Sequence, residues 1–367
     1  MGKRILLICN TSNSVINFRK DLIFALKEKT LDVFVIVGDS QRYNEIEKLG
    51  VNQTVVPMNN RDKNPFKIIQ LKRRLARAIR RIQPDVVLTF QIKPNTIGSL
   101  AARQAKVDKI ACMVEGLGDP FSCETIRQKI LRFIVSTIYR KSLKHVGKVF
   151  FLNEDDKAEM VKRKIVKPEK CIVVPGIGID TSTIQKRTHL PKDKRIIYLA
   201  RLIRNKGILD YCRVARTVKK ERADILFDLY GEEAQLKKED LMSFIDDGSI
   251  TFHGYTTKSL EKLANSRLLV TTSKYREGFP RIILEAMAVG VPVIGSDTVG
   301  TKDAIIDGKT GYIVKQGDIN AFAKAILSIV DDDQKLIKMG TESRHYAETR
   351  FDSKIINAQI ICELCNL

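Results

Sequence analysis

Two glutamates eight positions apart, Glu277 and Glu285, stand in the stretch YREGFPRIILEAMAVGVPVIGSD (275–297). Pro280 suits the first turn of a helix, where its missing N–H would have no partner anyway. That places Glu277 in the loop before the helix and Glu285 in its second turn. Between them, the N–H groups of Gly278, Phe279 and Arg281 and the positive helix end form an anion site. A sugar diphosphate fits this arrangement, with one carboxylate for sugar hydroxyls, one for a ribose diol, and amides for phosphate. Two acids on a surface helix are otherwise an ordinary solvated pair, so the weight comes from what accompanies them. Arg201 and Lys206 flank the loop after the apolar run 195–200, and Lys206-Gly207 opens the next helix. Two cations at a strand-to-helix turn suit the neutralisation of a departing diphosphate. Tyr230-Gly231 and His253-Gly254-Tyr255 follow two further apolar runs. Strand C-terminal ends of this kind line the crevice where open α/β sheets hold nucleotides. His253 taken singly reads as a structural residue rather than a base.

The elements that must position these groups are short β-branched runs. In the first half they are RILLIC (4–9), DVFVIVGD (32–39), PDVVLTF (84–90), VGKVFFLN (146–153) and KCIVVPG (170–176). The second half restarts with RIIYLAR (195–201), DILFDLYG (224–231), SITFHG (249–254), LLVTTS (268–273) and VPVIGSD (291–297). Helix-length segments such as 17–29 and 66–82 lie between them. Apolar strands separated by helices imply parallel sheets covered on both faces. The expected architecture is therefore α/β, with two doubly wound domains. The polar stretch 179–194 marks the boundary, giving domains 1–182 and 183–346, and a terminal helix at about 347–367 is expected to cross back onto the first domain.

Composition narrows the partners. The chain of 367 residues is 44% hydrophobic with ten prolines, which excludes disordered and collagenous classes. No apolar run approaches the ~20 residues of a spanning helix. The N-terminus runs straight into a short strand without the longer apolar stretch of a signal peptide, so a soluble intracellular chain is expected. Seven scattered cysteines suggest reduced thiols. Cys362 and Cys365 form one CxxC with no second pair to complete a zinc site, and the acidic run Asp331-Asp332-Asp333 reads as a turn or cap; no metal is expected. The net charge of +21 is uneven: residues 1–190 hold 36 basic and 18 acidic residues, a balance of +18, and the remainder only +3. Residues 61–82 alone carry nine basic residues against one acid, with Ile68, Ile69, Leu71, Leu75, Ile79 and Ile82 forming an apolar stripe at helical spacing. Such a helix packs on a sheet, and its basic remainder suits an anionic lipid surface. Nucleic acid would require aromatic stacking platforms among the cations, yet residues 61–85 hold one aromatic, Phe66.

In the first half, the loop after strand 4–9 offers Asn10, Thr11, Ser12, Asn13 and Ser14, which can cap a helix or donate to phosphate or sugar. Lys93 stands at a strand's C-terminal end, suitably placed for a phosphate.

The order ARL…NKG, LYG, ITFHGY, YREGFPRIILEAMAVGVPVIGSD and DGKTGYIVKQGD resembles the donor domain of the retaining GT-B glycosyltransferases of family 4, with Glu277 and Glu285 matching the family's E-x7-E signature. The resemblance implies two Rossmann-like domains facing a central cleft. It also implies that Arg201 and Lys206 hold the donor diphosphate, that Glu285 binds the ribose, and that Glu277 with the following amides holds the donor sugar. Tyr230, Gly231, His253, Gly254, Tyr255, Pro280, Asn10, Thr11 and Ser14 would complete the donor site. One departure is TVGTKDAI (298–305), where relatives usually carry a Gly then a Glu, and no role is carried over there. In the first half, NFR (17–19) and TFQIKPNTIGSLAA (89–102) are similar to bacterial transferases that extend undecaprenyl-diphosphate-linked sugars, N-acetylgalactosaminyltransferases among them. By that likeness Arg19, Lys93, Asn95, Glu115 and Gly116 would face the acceptor, although Glu115 replaces a family threonine and Asp119-Pro120 alter the next positions. The implied activity is retaining, metal-independent transfer of a hexose or N-acetylhexosamine from a UDP-sugar to a lipid-diphosphate-linked acceptor at the inner membrane face. A sugar-nucleotide epimerase on the same fold is the competing expectation.

Overall fold

The computed structural model describes residues 3–59, 64–118, 121 and 125–367, so Arg61, Asp62, Lys63 and Asp119-Pro120 of the sequence reading lie outside the described residues. The chain divides into two compact units, Met1–Ile177 with Ser353–Leu367, and Gly178–Asp352. The divisions therefore fall a few residues from positions 182 and 346. The reason is local: Ile179 bridges Asp352, and the Thr181 N–H donates to the Asp352 carboxylate at 3.3 Å, which ties both crossings into the second unit.

The first unit is a seven-stranded sheet: β1 (Arg4–Ile8), β2 (Asp32–Val37), β3 (Asn52–Val55), β4 (Val86–Phe90), β5 (Lys109–Val114), β6 (Lys148–Phe151) and β7 (Cys171–Val173). All pairings are parallel, in the order β3-β2-β1-β4-β5-β6-β7. Its helices are α1 (Ser12–Phe18), α2 (Lys20–Glu28), α3 (Tyr43–Glu47), α4 (Pro65–Ile82), α5 (Ser99–Gln104), α6 (Ile126–Leu143) and α7 (Glu154–Lys162). Parallel strands bury both faces, and the nearly unbroken apolar run Leu6-Leu7-Ile8 is accordingly fully buried. Asn64 caps α4 by accepting from the Phe66 N–H at 2.9 Å, Pro65 takes the first position, and Gln83 ends the helix at φ +53°. The stripe Leu71, Leu75, Ala76 and Ile79 packs into the core below. The segment 17–29, expected as one helix, is instead divided between α1 and α2. The break is at Arg19 (φ −124°, ψ −5°), whose side chain turns into the core over the Phe90 ring.

The second unit is a six-stranded parallel sheet: β8 (Arg195–Leu199), β9 (Leu226–Tyr230), β10 (Thr251–Phe252), β11 (Leu268–Thr271), β12 (Val293–Ser296) and β13 (Gly311–Val314), in the order β10-β9-β8-β11-β12-β13. Around it stand α8 (Ile208–Lys219), α9 (Met242–Asp246), α10 (Ser259–Ala264), α11 (Arg281–Val289), α12 (Thr301–Ala304), α13 (Ile319–Leu327) and α14 (Asp333–Arg350). Asp332 caps α14, accepting from the Lys335 N–H at 2.9 Å, and Asp331 pairs with Lys194 at 2.8 Å. The last helix, α15 (Ser353–Cys365), belongs to the first unit, where Glu363 pairs with Lys148. Each sheet is thus doubly wound, with strand order reversing between β1 and β4 in one and between β8 and β11 in the other. Those two switch points are where such sheets bind ligands. No helix among the described residues is long and apolar enough to cross a membrane.

Candidate functional site

At the switch point of the second unit, the chain leaves β8 through the loop carrying Arg201 and Lys206 and enters α8 at Gly207. Gly207 sits at φ +74°, and a Cβ there would lie 1.9 Å from the Thr272 carbonyl oxygen. Only glycine lets this loop close onto the end of β11. The close approach brings Lys206 Nζ to 2.6 Å from Glu277 Oε1, and Ser273 Oγ donates to the same oxygen at 3.2 Å. Both side chains of the Lys206–Glu277 pair are largely buried, so the pair is screened much less than a surface one. Arg201, on the same loop, is exposed.

Glu285 lies in the second turn of α11, as its spacing from Glu277 suggests. It accepts from Arg281 Nε at 3.0 Å and from Ser259 Oγ at 2.8 Å. The helix starts one residue later than the sequence implies: Pro280 is its cap, at φ −72°. Phe279 is expected to contribute its backbone N–H, and the backbone stands at the loop while the ring packs inward, 5.0 Å from the Phe351 ring. The segment 298–305, to which no role was assigned, supports the loop from behind. Gly300 at φ +85° rests against it, where a Cβ would come within 2.7 Å of the Glu277 carbonyl oxygen. The Gly300 N–H donates to Asp303 at 2.9 Å and opens α12.

The third expected cluster occupies the outer edge of the sheet. Tyr230 and His253 stack with centroids 4.5 Å apart and planes 10° from parallel. His253 Nε2 is 2.8 Å from Asp228 Oδ1, and the other Asp228 oxygen pairs with Arg195. This partnership gives His253 a structural place. The Gly231 N–H donates to the Gly254 carbonyl at 2.8 Å, and Tyr255 is exposed.

In the first unit the switch point is held together by a residue the sequence reading passed over. Gln91 follows β4 at φ +68°, unusual for a residue with a Cβ. Its Oε1 accepts from the Asn10 N–H at 3.0 Å, and its Nε2 donates to Ser14 Oγ at 2.6 Å. It therefore ties the loop after β1 to the loop after β4. No local pattern marks such a residue, because its partners are nearly eighty positions away. Thr11 caps α1, accepting from the Ser14 N–H at 3.2 Å. Lys93 lies beyond Gln91 and donates to the Asn59 carbonyl.

Asn95 is expected at the acceptor, and its side chain has structural partners. It is fully buried in the π-helical turn Pro94–Gly98, donates to the Met113 carbonyl at 2.7 Å and accepts from Thr89 Oγ1 at 2.7 Å. Its amide holds β4 and β5 to the turn, and the residue also borders the groove between α4 and α6. Arg19 and Glu115, both expected near the acceptor, meet as an ion pair with Arg19 almost wholly buried. Burial pulls the Arg19 guanidinium down to about 10, which still leaves it charged at neutral pH.

Residues 180–346 match the family described as glycosyl transferases group 1, and residues 4–153 match the one described as glycosyl transferase 4-like. A Campylobacter jejuni protein, the N,N'-diacetylbacillosaminyl-diphospho-undecaprenol alpha-1,3-N-acetylgalactosaminyltransferase, is 26% identical, covering 96% of each chain. An Escherichia coli protein, the UDP-Gal:alpha-D-GlcNAc-diphosphoundecaprenol alpha-1,3-galactosyltransferase, is 22% identical, covering 84% of this chain and 82% of its own. Among solved structures, Anabaena HepE in complex with UDP and glucose superposes with a TM-score of 0.82 at 17% identity, covering all of both chains. That likeness establishes the shared fold.

Proposed function

The chain belongs to the group 1, family 4-like glycosyltransferases, and from that premise we propose that it moves a hexose or N-acetylhexosamine from a UDP-sugar to a saccharide carried on a lipid diphosphate, with retention at the anomeric carbon. The observation that carries this reading is the meeting of Lys206 with Glu277 at the β8/β11 switch point, beside the exposed Arg201. An ammonium held there by a carboxylate is pre-aimed at a diphosphate, and Glu277 keeps its second oxygen for sugar hydroxyls. Glu285 takes the ribose diol, and the amides at the start of α11 take phosphate oxygens.

In this mechanism the acceptor hydroxyl oxygen bonds to the anomeric carbon on the face from which the diphosphate departs. The carbon–oxygen bond to phosphate breaks, its electron pair stays with the nucleoside diphosphate, and the hydroxyl proton passes to the departing phosphate oxygen. Arg201 and Lys206 stabilise the charge gained there. The activities of the Campylobacter and Escherichia relatives support the lipid-diphosphate class of acceptor. The UDP of the Escherichia donor and the UDP bound by the Anabaena neighbour support the nucleotide. Attachment to the anionic inner face of a membrane is part of the same reading and is supported by the basic face of α4, where each Lys or Arg near the surface would contribute about 1 kcal/mol.

The test is thermal unfolding against a panel of UDP- and GDP-sugars, followed by transfer from the stabilising donor to a saccharide on undecaprenyl diphosphate. A UDP-sugar at a hundred times its Kd should add about 2.7 kcal/mol of stability, and the transferred sugar should keep its anomeric configuration by NMR. Isomerisation of the donor without acceptor would instead indicate an epimerase.

A further inference from the structure

The first unit contains a groove of about 890 Å³ running from its switch point outward between α4, the π-helical turn and α6. Its two ends differ in chemistry. The inner end, at the C-terminal edge of the sheet, is polar and is formed by Thr11, Gln91, Lys93 and Glu115. The outer walls are aliphatic, with Ile68, Leu100, Leu131, Ile134, Val135 and Ile138. The groove opens onto an exposed apolar stripe on α6, where Ile126, Ile130 and Phe133 stand at helical spacing and are 79%, 58% and 73% exposed. On α4, Phe66 and Ile69 are exposed as well. A monomeric protein in water rarely leaves such a contiguous patch uncovered.

The charge around the groove limits what can occupy it. The 36 residues of α4 and α6 together include twelve lysines and arginines and no aspartate or glutamate. An apolar trough between two helices that carry cations and no acid, with Lys93 on a polar floor where Glu115 is already paired with Arg19, matches an amphiphile whose polar end is anionic and whose remainder is hydrocarbon.

We propose that this groove holds the first isoprenoid units of the acceptor's polyprenyl chain, with its diphosphate beside Lys93. The inference rests on the reading that the acceptor is a lipid-linked diphosphate, and it adds that the protein grips the lipid itself rather than only the membrane around it. The sugar then lies at the polar floor, and the chain leaves along α6 toward the lipid surface.

Calorimetric titration of the full-length protein with farnesyl diphosphate below its micelle concentration, without bilayer or detergent, tests this against inorganic diphosphate and UDP. The expected result is farnesyl diphosphate binding at least about tenfold tighter than inorganic diphosphate. The Ile134→Ser/Ile138→Ser variant should lose that preference with its UDP affinity unchanged, which also shows that it folds. Phe133→Ser, on the stripe but outside the groove lining, should keep the preference while adsorbing more weakly to phosphatidylglycerol vesicles. Equal binding of farnesyl and inorganic diphosphate by the wild type would overturn the proposal. So would a double variant that loses vesicle adsorption but keeps the preference, since the patch would then be a bilayer contact alone. Failure of the wild type to bind UDP would count against the functional reading instead.

Discussion

The two units share one wiring rule and differ in what they place at its focus. In the second, the loops after β8 and β11 meet through a buried charge pair, Lys206 with Glu277. In the first, the corresponding loops after β1 and β4 meet through neutral amides and a hydroxyl, with Gln91 bridging Asn10 and Ser14. The near-neutral half therefore puts charge at its switch point, whereas the strongly basic half puts most of its cations on the outer faces of helices such as α4. Net charge does not locate chemistry within a doubly wound sheet. It reports what the outer surface meets, while the few groups at the switch point report what is bound there.

The sharpest way to break the comparison is to remove the charge from the second switch point. Lys206→Ala should lower kcat by about 10²–10³-fold, as loss of a group stabilising developing charge does, and a wild-type rate would show the pair to be structural only. Gly207→Ala attacks the same focus through the backbone. Its Cβ would meet the Thr272 carbonyl, so unfolding by denaturant should show a loss of about 2–4 kcal/mol. On the basic surface, Arg74→Gln/Arg77→Gln should weaken adsorption to anionic vesicles by about 2 kcal/mol in total, with UDP affinity unchanged. The smallest effect is expected at Gln91→Ala, which releases the tie between the first unit's loops. The acceptor KM should rise by about tenfold, near 1.4 kcal/mol, while donor affinity stays constant. A change in donor affinity there would blur the division of labour between the units.

Much of this was legible in the sequence, for physical reasons. Parallel strands buried on both faces leave unbroken apolar runs, so β1 and β8 announce themselves. The eight-residue spacing of Glu277 and Glu285 spans a loop and one and a half helical turns whatever the tertiary context. What escaped depends on direction and distance. Asn95 looks like a polar acceptor contact, while a π-helical turn also carries it to Met113. Arg19 breaks a continuous helical pattern because its guanidinium is drawn over Phe90 and against Glu115, neither of them near it in sequence.

The central claim is that the Arg201, Lys206 and Glu277 constellation transfers a sugar from a nucleotide to a lipid-linked acceptor. It is tested most directly by following labelled sugar from a UDP-sugar onto an undecaprenyl-diphosphate-linked saccharide with wild-type, Arg201→Ala and Glu277→Ala proteins. The account predicts a product with retained configuration from the wild type and rates lower by about 10²-fold in both variants. A wild-type rate in either variant, or an inverted product, would contradict it.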